Sequence, residues 1–367
     1  MILSAIKNKM IKEIQSFLNP NKPSFVIFYV TNRCNFRCNF CFYRDQIDKG
    51  LKPDELTVEE IKKLTENIGL LSQLSLTGGE VFIRKEFKKI SELFFQNCKP
   101  LYVTIPTNGS MPERIYDYYS YFLAKYPKIN FRCVFSIEGI DDVHDKLRDV
   151  PGSFENIKKS LNKLNQLRKK YKNIVVDSNS VFTANSEDTL LNTVKYLDKN
   201  FDFDNISITN ARGKIPDENL KSKAKNKYIK VNEYIDNIKR NNEGRFLSSG
   251  WRAVNSMTRE NVVKVGFDDK FIDPCVAGKK IIVISETGDV FPCEILGKKM
   301  GNIKDTNYNV SEILNSNQSN ELKKWIKTSK CKCTFECATA ASIVWNYSNI
   351  PKILKNTTKA FLRDRKH

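Results

Sequence analysis

The sequence predicts an α/β fold built around a parallel β-sheet. Six short runs rich in apolar and β-branched residues lie between residues 25 and 210, and stretches with the apolar spacing of amphipathic helices separate the second to the sixth of them. Consecutive βα units of this kind form a parallel sheet that helices cover on at least one face. The pattern is typical of an open sheet or of one curled into a partial barrel.

Each predicted element has its own signal. The strand candidates are Phe25–Thr31, Gln73–Thr77, Leu101–Pro106, Asn130–Ile137, Ile174–Phe182 and Ile206–Thr209. A capping box of Thr57 and Glu60 begins the first helix between strands. The apolar positions that predict helices are Ile61, Leu64, Ile68 and Leu71, then Phe87, Ile90, Leu93 and Phe94, then Ile157, Leu161, Leu164 and Leu167, and finally Leu190, Val194 and Leu197.

The remainder of the chain has a different character. Residues 1–24 predict an amphipathic helix, interpreted as a plug at the base of the sheet, with docking on a membrane surface as the alternative. A polar linker with one helix is predicted over residues 213–268, and a cysteine-rich domain over residues 269–345. We therefore expect the sheet domain to span residues 25–212 and a basic tail to span residues 346–367.

Composition limits the function classes. The chain has 367 residues, ten cysteines and a formal net charge of +19. Charged residues interrupt the N-terminal segment, so no signal peptide is predicted, and no apolar run approaches the ~18 residues of a membrane span. We expect free thiols in a reducing compartment, the cytoplasm. The positive charge suggests nucleic acid or an anionic surface as partner, but the lysines are spread over predicted helices beside acidic residues, which disfavours nucleic acid.

Cys34, Cys38 and Cys41 form a Cys-x3-Cys-x2-Cys cluster directly after the first predicted strand. Three thiolates at this spacing can bind three irons of a cubane [4Fe–4S] cluster and leave the fourth iron without a protein ligand. Zinc sites more often pair Cys-x2-Cys knuckles with a nearby fourth ligand, and the only histidines are His144 and His367. The trio predicts an iron–sulfur site with an open iron, with zinc as the alternative.

A Gly-Gly-Glu turn of Gly78, Gly79 and Glu80 ends the second predicted strand, one βα unit after the cysteines. Glycines let a ligand approach the main chain closely, and active sites of parallel α/β folds lie at such strand ends. Together with the cysteine spacing, this turn resembles the radical SAM superfamily. The resemblance implies a partial (β/α)6 TIM-type barrel, a [4Fe–4S] cluster whose open iron binds S-adenosylmethionine (SAM), and a Glu80 that binds the SAM amino group.

The same resemblance implies further SAM contacts at other strand ends. They are Phe40 near the adenine, Thr107 and Asn108 after the third strand, Ser136 and Glu138 near the ribose, and Arg148 near the carboxylate. Period-2 alternation places Ser136 and Glu138 on one face of the fourth strand. Relatives often have Asp at the position of Glu138. Arg212 and His144 are additional candidates.

A second cysteine group lies in the C-terminal part. Cys275 and Cys293 flank a predicted hairpin that would bring their thiols together, and three more thiols follow at Cys331, Cys333 and Cys337. The group resembles the SPASM/twitch extension of radical SAM enzymes, an α+β region that binds auxiliary iron–sulfur clusters. Full SPASM regions have seven cysteines, whereas the five here fit one auxiliary [4Fe–4S] cluster with one thiol to spare. Zinc is again the alternative.

The resemblance implies an oxidoreductase that cleaves SAM reductively and abstracts hydrogen from a substrate C–H bond, with flavodoxin or ferredoxin as electron donor. Relatives with the extension modify ribosomal peptides, protein side chains or small metabolites. Peptide maturases often carry an extra N-terminal recognition domain, whereas about 24 residues precede the first strand here, which favours a small metabolite or natural product. A peptide or protein maturase that forms cross-links is the alternative. A hypothesis from another class is an iron–sulfur or zinc protein that binds nucleic acid.

Overall fold

The computed structural model describes residues 22–50, 54–238 and 246–365, so the predicted N-terminal helix falls almost wholly outside the described ranges. Within them the strands are β1 (Phe25–Thr31), β2 (Gln73–Gly78), β3 (Tyr102–Thr107), β4 (Asn130–Ser136), β5 (Ile174–Phe182), β6 (Asn205–Asn210), β7 (Ile281–Ile284), β8 (Asp289–Phe291) and β9 (Gly301–Asn302). All six predicted barrel strands are present, and their ends differ from the prediction by at most one residue.

The described α-helices cover the gaps between strands and most of the C-terminal part. They are α1 (Arg44–Asp48), α2 (Val58–Ile68), α3 (Phe87–Asn97), α4 (Pro112–Lys125), α5 (Asp142–Arg148), α6 (Ser153–Lys170), α7 (Leu190–Asn200), α8 (Lys225–Asn237), α9 (Phe246–Gly266), α10 (Val310–Asn315), α11 (Asn317–Thr328), α12 (Glu336–Trp345) and α13 (Ile350–Arg365). The predicted capping box is confirmed, because the Glu60 N–H donates to Thr57 Oγ1 at 3.2 Å and the Thr57 N–H donates to the Glu60 carboxylate at 2.8 Å. Among these helices none is long and apolar enough to span a membrane.

The strands form one sheet in the order β6-β5-β4-β3-β2-β1-β7-β8-β9. Strands β1 to β6 are parallel neighbours in chain order, as right-handed βα units require. Neither β6 nor β9 pairs with a further described strand, so the sheet does not close. The predicted partial barrel is therefore confirmed.

The two faces of the barrel strands differ in polarity. On β5, Val176 and Phe182 point into the apolar core beneath the helices. The alternate residues Asp177 and Asn179 lie on the other face, where Asp177 pairs with Arg132 of β4. Since parallel strands buried on both faces are apolar throughout, this alternation shows that the concave face lines a polar interior.

The predicted C-terminal hairpin is confirmed: β7 and β8 pair antiparallel. It also extends the barrel sheet, because β7 pairs in parallel with β1, with Phe25 opposite Ile281. The region predicted to contain one linker helix has two, α8 and α9, and α9 packs against α12 and α13. The second helix is rich in Ser, Asn and Gly, which are poor helix formers, so its buried stripe of Ala253, Val254 and Met257 was not recognised.

Candidate active site

The cysteine loop (residues 32–43) follows β1 and is bonded to the turn after β2. The Gly79 N–H donates to the Thr31 carbonyl at 2.9 Å, and the Glu80 N–H donates to the Arg33 carbonyl at 2.8 Å. These bonds continue the β1–β2 pairing past the ends of both strands. The cysteines and the Gly-Gly-Glu turn are therefore one structural unit at the carboxyl end of the sheet.

The glycines of this turn are required by the approach of the cysteine loop. A Cβ on Gly78, whose φ is +147°, would lie 2.2 Å from the Thr31 carbonyl oxygen. A Cβ on Gly79 would lie 2.0 Å from the Arg33 carbonyl oxygen. The sequence suggested that the glycines make room for a ligand, whereas the space of both missing side chains is occupied by main chain.

The thiols of the cysteine loop lie in an apolar setting. Phe36 and Phe40 are buried against residues that follow β6, and Cys38 is buried with them. Burial, with smaller contributions from Glu80 and the other two thiols, raises the pKa of Cys34 to about 12, against a backbone N–H bond from Phe36 that lowers it. In the described ranges no three Cys, His, Asp or Glu side chains converge closely enough to bind a metal ion as they stand. Because burial raises the Cys34 pKa, a cation beside this thiol would favour its ionised, metal-binding form.

Arg148, at the end of α5, connects three residues that the sequence singled out separately. Its Nη1 donates to Cys38 Sγ at 3.5 Å, and its Nη2 donates to Glu138 Oε1 at 2.6 Å. Its guanidinium lies 5.4 Å from the centroid of the Phe40 ring. The Nε of this buried side chain has no hydrogen-bond partner.

Glu138 is buried just after β4, and Ser136 is half-buried on the concave face. The second carboxylate oxygen of Glu138 accepts from the Val181 N–H at 2.6 Å. Its own N–H donates to His144 Nδ1 at 3.0 Å, which requires an unprotonated Nδ1. Burial lowers the pKa of His144 to about 3, so the ring is neutral and supports the main chain at Glu138.

Glu80 is fully enclosed and accepts several hydrogen bonds. The Thr107 hydroxyl donates to its carboxylate at 3.0 Å, and the Asn108 N–H donates at 2.8 Å. The Asn108 side chain donates to Asn35 Oδ1 of the cysteine loop at 2.9 Å. Burial raises the pKa of Glu80 to about 7 despite these donors. The strand-end residues predicted as separate SAM contacts thus form one brace around the carboxylate.

Four of the five C-terminal thiols lie close enough to influence one another. Burial, with a smaller contribution from the thiols of Cys293 and Cys331, raises the pKa of Cys275 to about 11. Cys333 has a pKa raised to about 11 by burial, with smaller contributions from Cys275 and Cys331. The hairpin thus places the Cys275 and Cys293 thiols together as expected. Cys337 packs on the same apolar cluster as Cys275, Cys293 and Cys333. Burial first, and then nearby carboxylates, raise its pKa to about 12.

The carboxylates beside Cys337 belong to a buried polar group that sequence reasoning missed in part. Arg212, after β6, pairs with Glu336 and lies 3.9 Å from a Glu294 oxygen, and its guanidinium lies 4.9 Å from the Phe335 ring centroid. The Tyr29 hydroxyl on the concave face of β1 donates to Glu294 Oε1 at 2.8 Å. The sequence could have indicated these two carboxylates, because Glu294 directly follows Cys293 and Glu336 directly precedes Cys337.

These side chains fit the anionic, sulfur-rich groups that the sequence resemblance implies. Two N–H donors point at sulfur, from Phe36 to Cys34 Sγ at 3.4 Å and from Arg148 to Cys38 Sγ. Such donors stabilise cluster thiolates and tune their potential. The unpartnered Arg148 Nε–H adds a buried donor beside the same thiols.

Comparison with protein families agrees with this assignment. The radical SAM superfamily matches residues 28–197, and the SPASM iron–sulfur cluster-binding domain matches residues 275–338. The chain is a radical SAM superfamily enzyme with a C-terminal SPASM domain. The radical SAM domain binds a [4Fe–4S] cluster and SAM, and the SPASM domain is an auxiliary iron–sulfur cluster domain. The predicted family and cofactors are thus confirmed.

Two curated relatives illustrate the extent of the similarity. The chain is 24% identical over 329 residues to the cysteine-type anaerobic sulfatase-maturating enzyme of Clostridium perfringens, covering 82% of each chain. It is 30% identical over 135 residues to the GTP 3',8-cyclase of Pasteurella multocida, covering 34% of this chain and 40% of that protein. The second similarity is therefore confined to part of both proteins.

A solved structure extends the similarity of fold to nearly the whole chain. The structure of native anSMEcpe with bound AdoMet and Cp18Cys peptide superposes with a TM-score of 0.55 at 19% identity, covering 92% of this chain and 99% of that chain. At this identity the match describes the fold. It supports the same order of elements through the sheet domain and the region that follows it.

Proposed function

We propose that this enzyme uses a SAM-derived 5′-deoxyadenosyl radical to abstract a hydrogen atom from a side chain of a peptide or protein substrate. The supporting observation is the co-alignment with a sulfatase-maturating enzyme over 82% of both chains. From sequence, the short stretch before the first predicted strand favoured a small metabolite. The anSMEcpe chain, 99% of which is covered by this one, was solved with a peptide bound, so that argument has little force.

The geometry that supports the proposal is the buried polar group on the concave face. The Tyr29 hydroxyl is bonded to Glu294, and Cys41 is among the groups that raise the Tyr29 pKa, after burial and Glu294. Glu294 in turn influences Cys337 of the other cysteine group. A substrate placed against Tyr29 would therefore lie between the two cysteine groups. Fixed donors and acceptors there suit the hydrogen-bonding main chain of a peptide.

The proposed roles of the site residues follow from position. The first cluster is bound by Cys34, Cys38 and Cys41, and the auxiliary cluster by Cys275, Cys293 and two of Cys331, Cys333 and Cys337. The residues proposed to bind SAM are Phe40, Gly78, Gly79, Glu80, Thr107, Asn108, Ser136, Glu138 and Arg148. In this assignment Gly78 and Gly79 act through their main chain, and the brace of Thr107 and Asn108 keeps Glu80 oriented. A one-electron carrier such as flavodoxin or ferredoxin supplies the electron.

The chemistry that the bound groups supply is one-electron cleavage of the SAM sulfonium, which gives methionine and the radical. The protein's part is to orient SAM, exclude water and place the substrate C–H bond. After hydrogen abstraction, loss of one more electron and one proton would complete a two-electron oxidation. Cys275, Cys293 and two of Cys331, Cys333 and Cys337 would hold an auxiliary cluster, which would supply a one-electron acceptor.

Anaerobic reconstitution followed by a SAM-cleavage assay tests the proposal. About eight irons per chain are expected for two [4Fe–4S] clusters, and about four in a Cys34→Ala/Cys38→Ala/Cys41→Ala variant. Single Cys331→Ala, Cys333→Ala and Cys337→Ala variants identify the spare thiol as the one whose loss leaves the iron count unchanged. The reduced wild-type protein should release 5′-deoxyadenosine, whereas the triple variant should not. Failure of the iron-loaded wild type to cleave SAM would refute the proposed reaction.

The substrate class is tested with a peptide library that carries each candidate side chain. A modified peptide should lose about 2 Da, the two hydrogen atoms removed in a two-electron oxidation. Deuterium at the attacked carbon should appear in 5′-deoxyadenosine. SAM cleavage that no peptide stimulates, but that a small metabolite does, would overturn the peptide assignment and leave the radical chemistry intact.

A further inference from the structure

A basic cavity lies at the carboxyl-end rim of the barrel, outside the proposed SAM site. Its volume is about 220 Å³, and its walls come from the segment after β2 and from α3 and α4. We call it the rim pocket; its charged lining residues are Arg84, Lys85, Lys88, Arg114 and Asp117. Phe87 and Tyr118 form an aromatic wall, stacked with ring centroids 4.8 Å apart.

The rim pocket carries a net positive charge that faces solvent. Lys85, Lys88 and Arg114 are exposed, whereas Arg84 is buried. Among the described residues that line the pocket, Asp117 is the one acidic side chain. Because Arg84 is buried and paired with Glu55 and Glu86, the excess charge at the surface comes from three exposed cations against Asp117. Such an excess attracts acidic groups and accelerates their association.

The same segment is rigidly connected to the cysteine loop. The two Nη atoms of Arg84 donate to the Val30 and Leu56 carbonyls, both at 2.5 Å, so this pocket residue is bonded to β1 just before the cysteines. Phe82, another lining residue, follows Glu80 by two positions. Because the Glu80 N–H is bonded to the Arg33 carbonyl, Phe82 lies within about 10 Å of the residue that precedes the first cysteine.

We propose that the rim pocket is the docking surface for an acidic one-electron carrier protein, which inserts carboxylate side chains between the exposed cations. The inference rests on the proposed function, since that reaction requires an electron from outside the enzyme. One electron leaves the carrier, which is oxidised by one electron, and enters the cluster bound by the cysteine loop. Docking here gives the electron a short path, and charge complementarity explains why the patch is basic.

Reversing the charges of Lys85 and Lys88 tests whether the rim pocket is the docking surface. Lys88 lies in the first turn of α3, where a carboxylate is compatible with the helix dipole, so Lys85→Glu/Lys88→Glu should fold normally. A matched control is Lys169→Glu/Lys172→Glu, which makes the same change in net charge with two exposed lysines at the opposite end of the sheet, before β5. The probe is a flavodoxin in its hydroquinone form, mixed with iron-loaded enzyme in a stopped-flow instrument.

At low ionic strength, flavodoxin should reduce the iron–sulfur cluster of the Lys85→Glu/Lys88→Glu variant about tenfold or more slowly than that of the wild type. The difference between the two rates should shrink as salt is added. The control should keep most of the wild-type rate. Dithionite, a small reductant that needs no docking surface, should support equal 5′-deoxyadenosine formation in all three proteins. If dithionite fails with the wild type, the proposed function fails. If dithionite succeeds but flavodoxin reduces the rim-pocket variant as fast as wild type, or slows equally with the control, the docking proposal is overturned.

Discussion

Replacing Gly79 with alanine tests the main-chain contact between the cysteine loop and the turn after β2. The new Cβ would lie 2.0 Å from the Arg33 carbonyl oxygen, 2.5 Å from its carbon and 3.0 Å from the Cys34 Cβ. Carbon contacts are most favourable at about 3.5–4.0 Å, so one of the two segments must move by about 1 Å or more. The two nearest of these atoms belong to the Arg33 main chain, which cannot move aside as a flexible side chain can.

The expected cost combines two effects. Overpacking typically destabilises by about 1–3 kcal/mol. The shift also weakens the bonds from Gly79 N–H to Thr31 and from Glu80 N–H to Arg33, each contributing about 0.5–1.5 kcal/mol. We expect the free energy of unfolding to fall by about 2–4 kcal/mol. Because the displaced segment precedes Cys34, iron should also fall from about eight towards about four per chain after reconstitution.

Denaturant unfolding of the metal-free protein and iron analysis of the reconstituted protein measure these effects. Gly250→Ala is the control, since its Cβ meets only one atom within 4 Å, at 3.9 Å, and a helical alanine is more favourable than glycine by about 0.5–1 kcal/mol. A Gly79→Ala protein as stable as wild type, with full iron content, would show that the close contact does not constrain the cysteine loop.

Three further predictions concern buried ionisable side chains. Arg148→Ala leaves the Glu138 carboxylate buried without its guanidinium and should cost about 3–5 kcal/mol in denaturant unfolding, partly restored in Arg148→Lys; a loss below about 1 kcal/mol would contradict the pairing. Burial lowers the pKa of His144 to about 3, so between pH 6.5 and 3 only the unfolded chain binds a proton at this ring. As the pH is lowered through this range, the free energy of unfolding of the wild type should fall by up to about 1.4 kcal/mol per pH unit more than that of His144→Asn. Parallel pH profiles of the two proteins would disprove a neutral buried ring. Arg212→Ala should destabilise by about 3–5 kcal/mol, because Glu336 loses its buried partner, and thermal unfolding of Arg212→Ala/Glu336→Gln should recover part of the loss; no recovery would argue against the pair.

The barrel strands were predictable because their signal is local. Each begins and ends within one residue of its apolar run, and the parallel order follows from the βα connections. The pairing of β7 with β1 was not predictable, because the partners are about 250 residues apart and nothing in Ile281–Ile284 specifies which edge it joins. Helix α9 was missed because its propensity is weak and its stability comes from packing on α12 and α13.

The candidate site was likewise predictable only in part. The cysteine spacing and the Gly-Gly-Glu turn identified the family, which comparison with known domains confirmed. The sequence did not predict which groups those residues contact. Gly79 accommodates main chain, Arg148 is bonded to both Cys38 and Glu138, and His144 supports the main chain of Glu138. None of these contacts is implied by the residue types alone.

The sequence by itself determined the kinds of atoms available for chemistry and the strand ends that carry them, because both depend on neighbours in the chain. Only the tertiary structure decided which distant side chains meet. Tyr29, Arg212 and Glu294 come together because the curved sheet turns one face of β1 and the end of β6 towards the SPASM region. Such encounters depend on curvature and on the return of the C-terminal hairpin to β1, which no short stretch of sequence encodes.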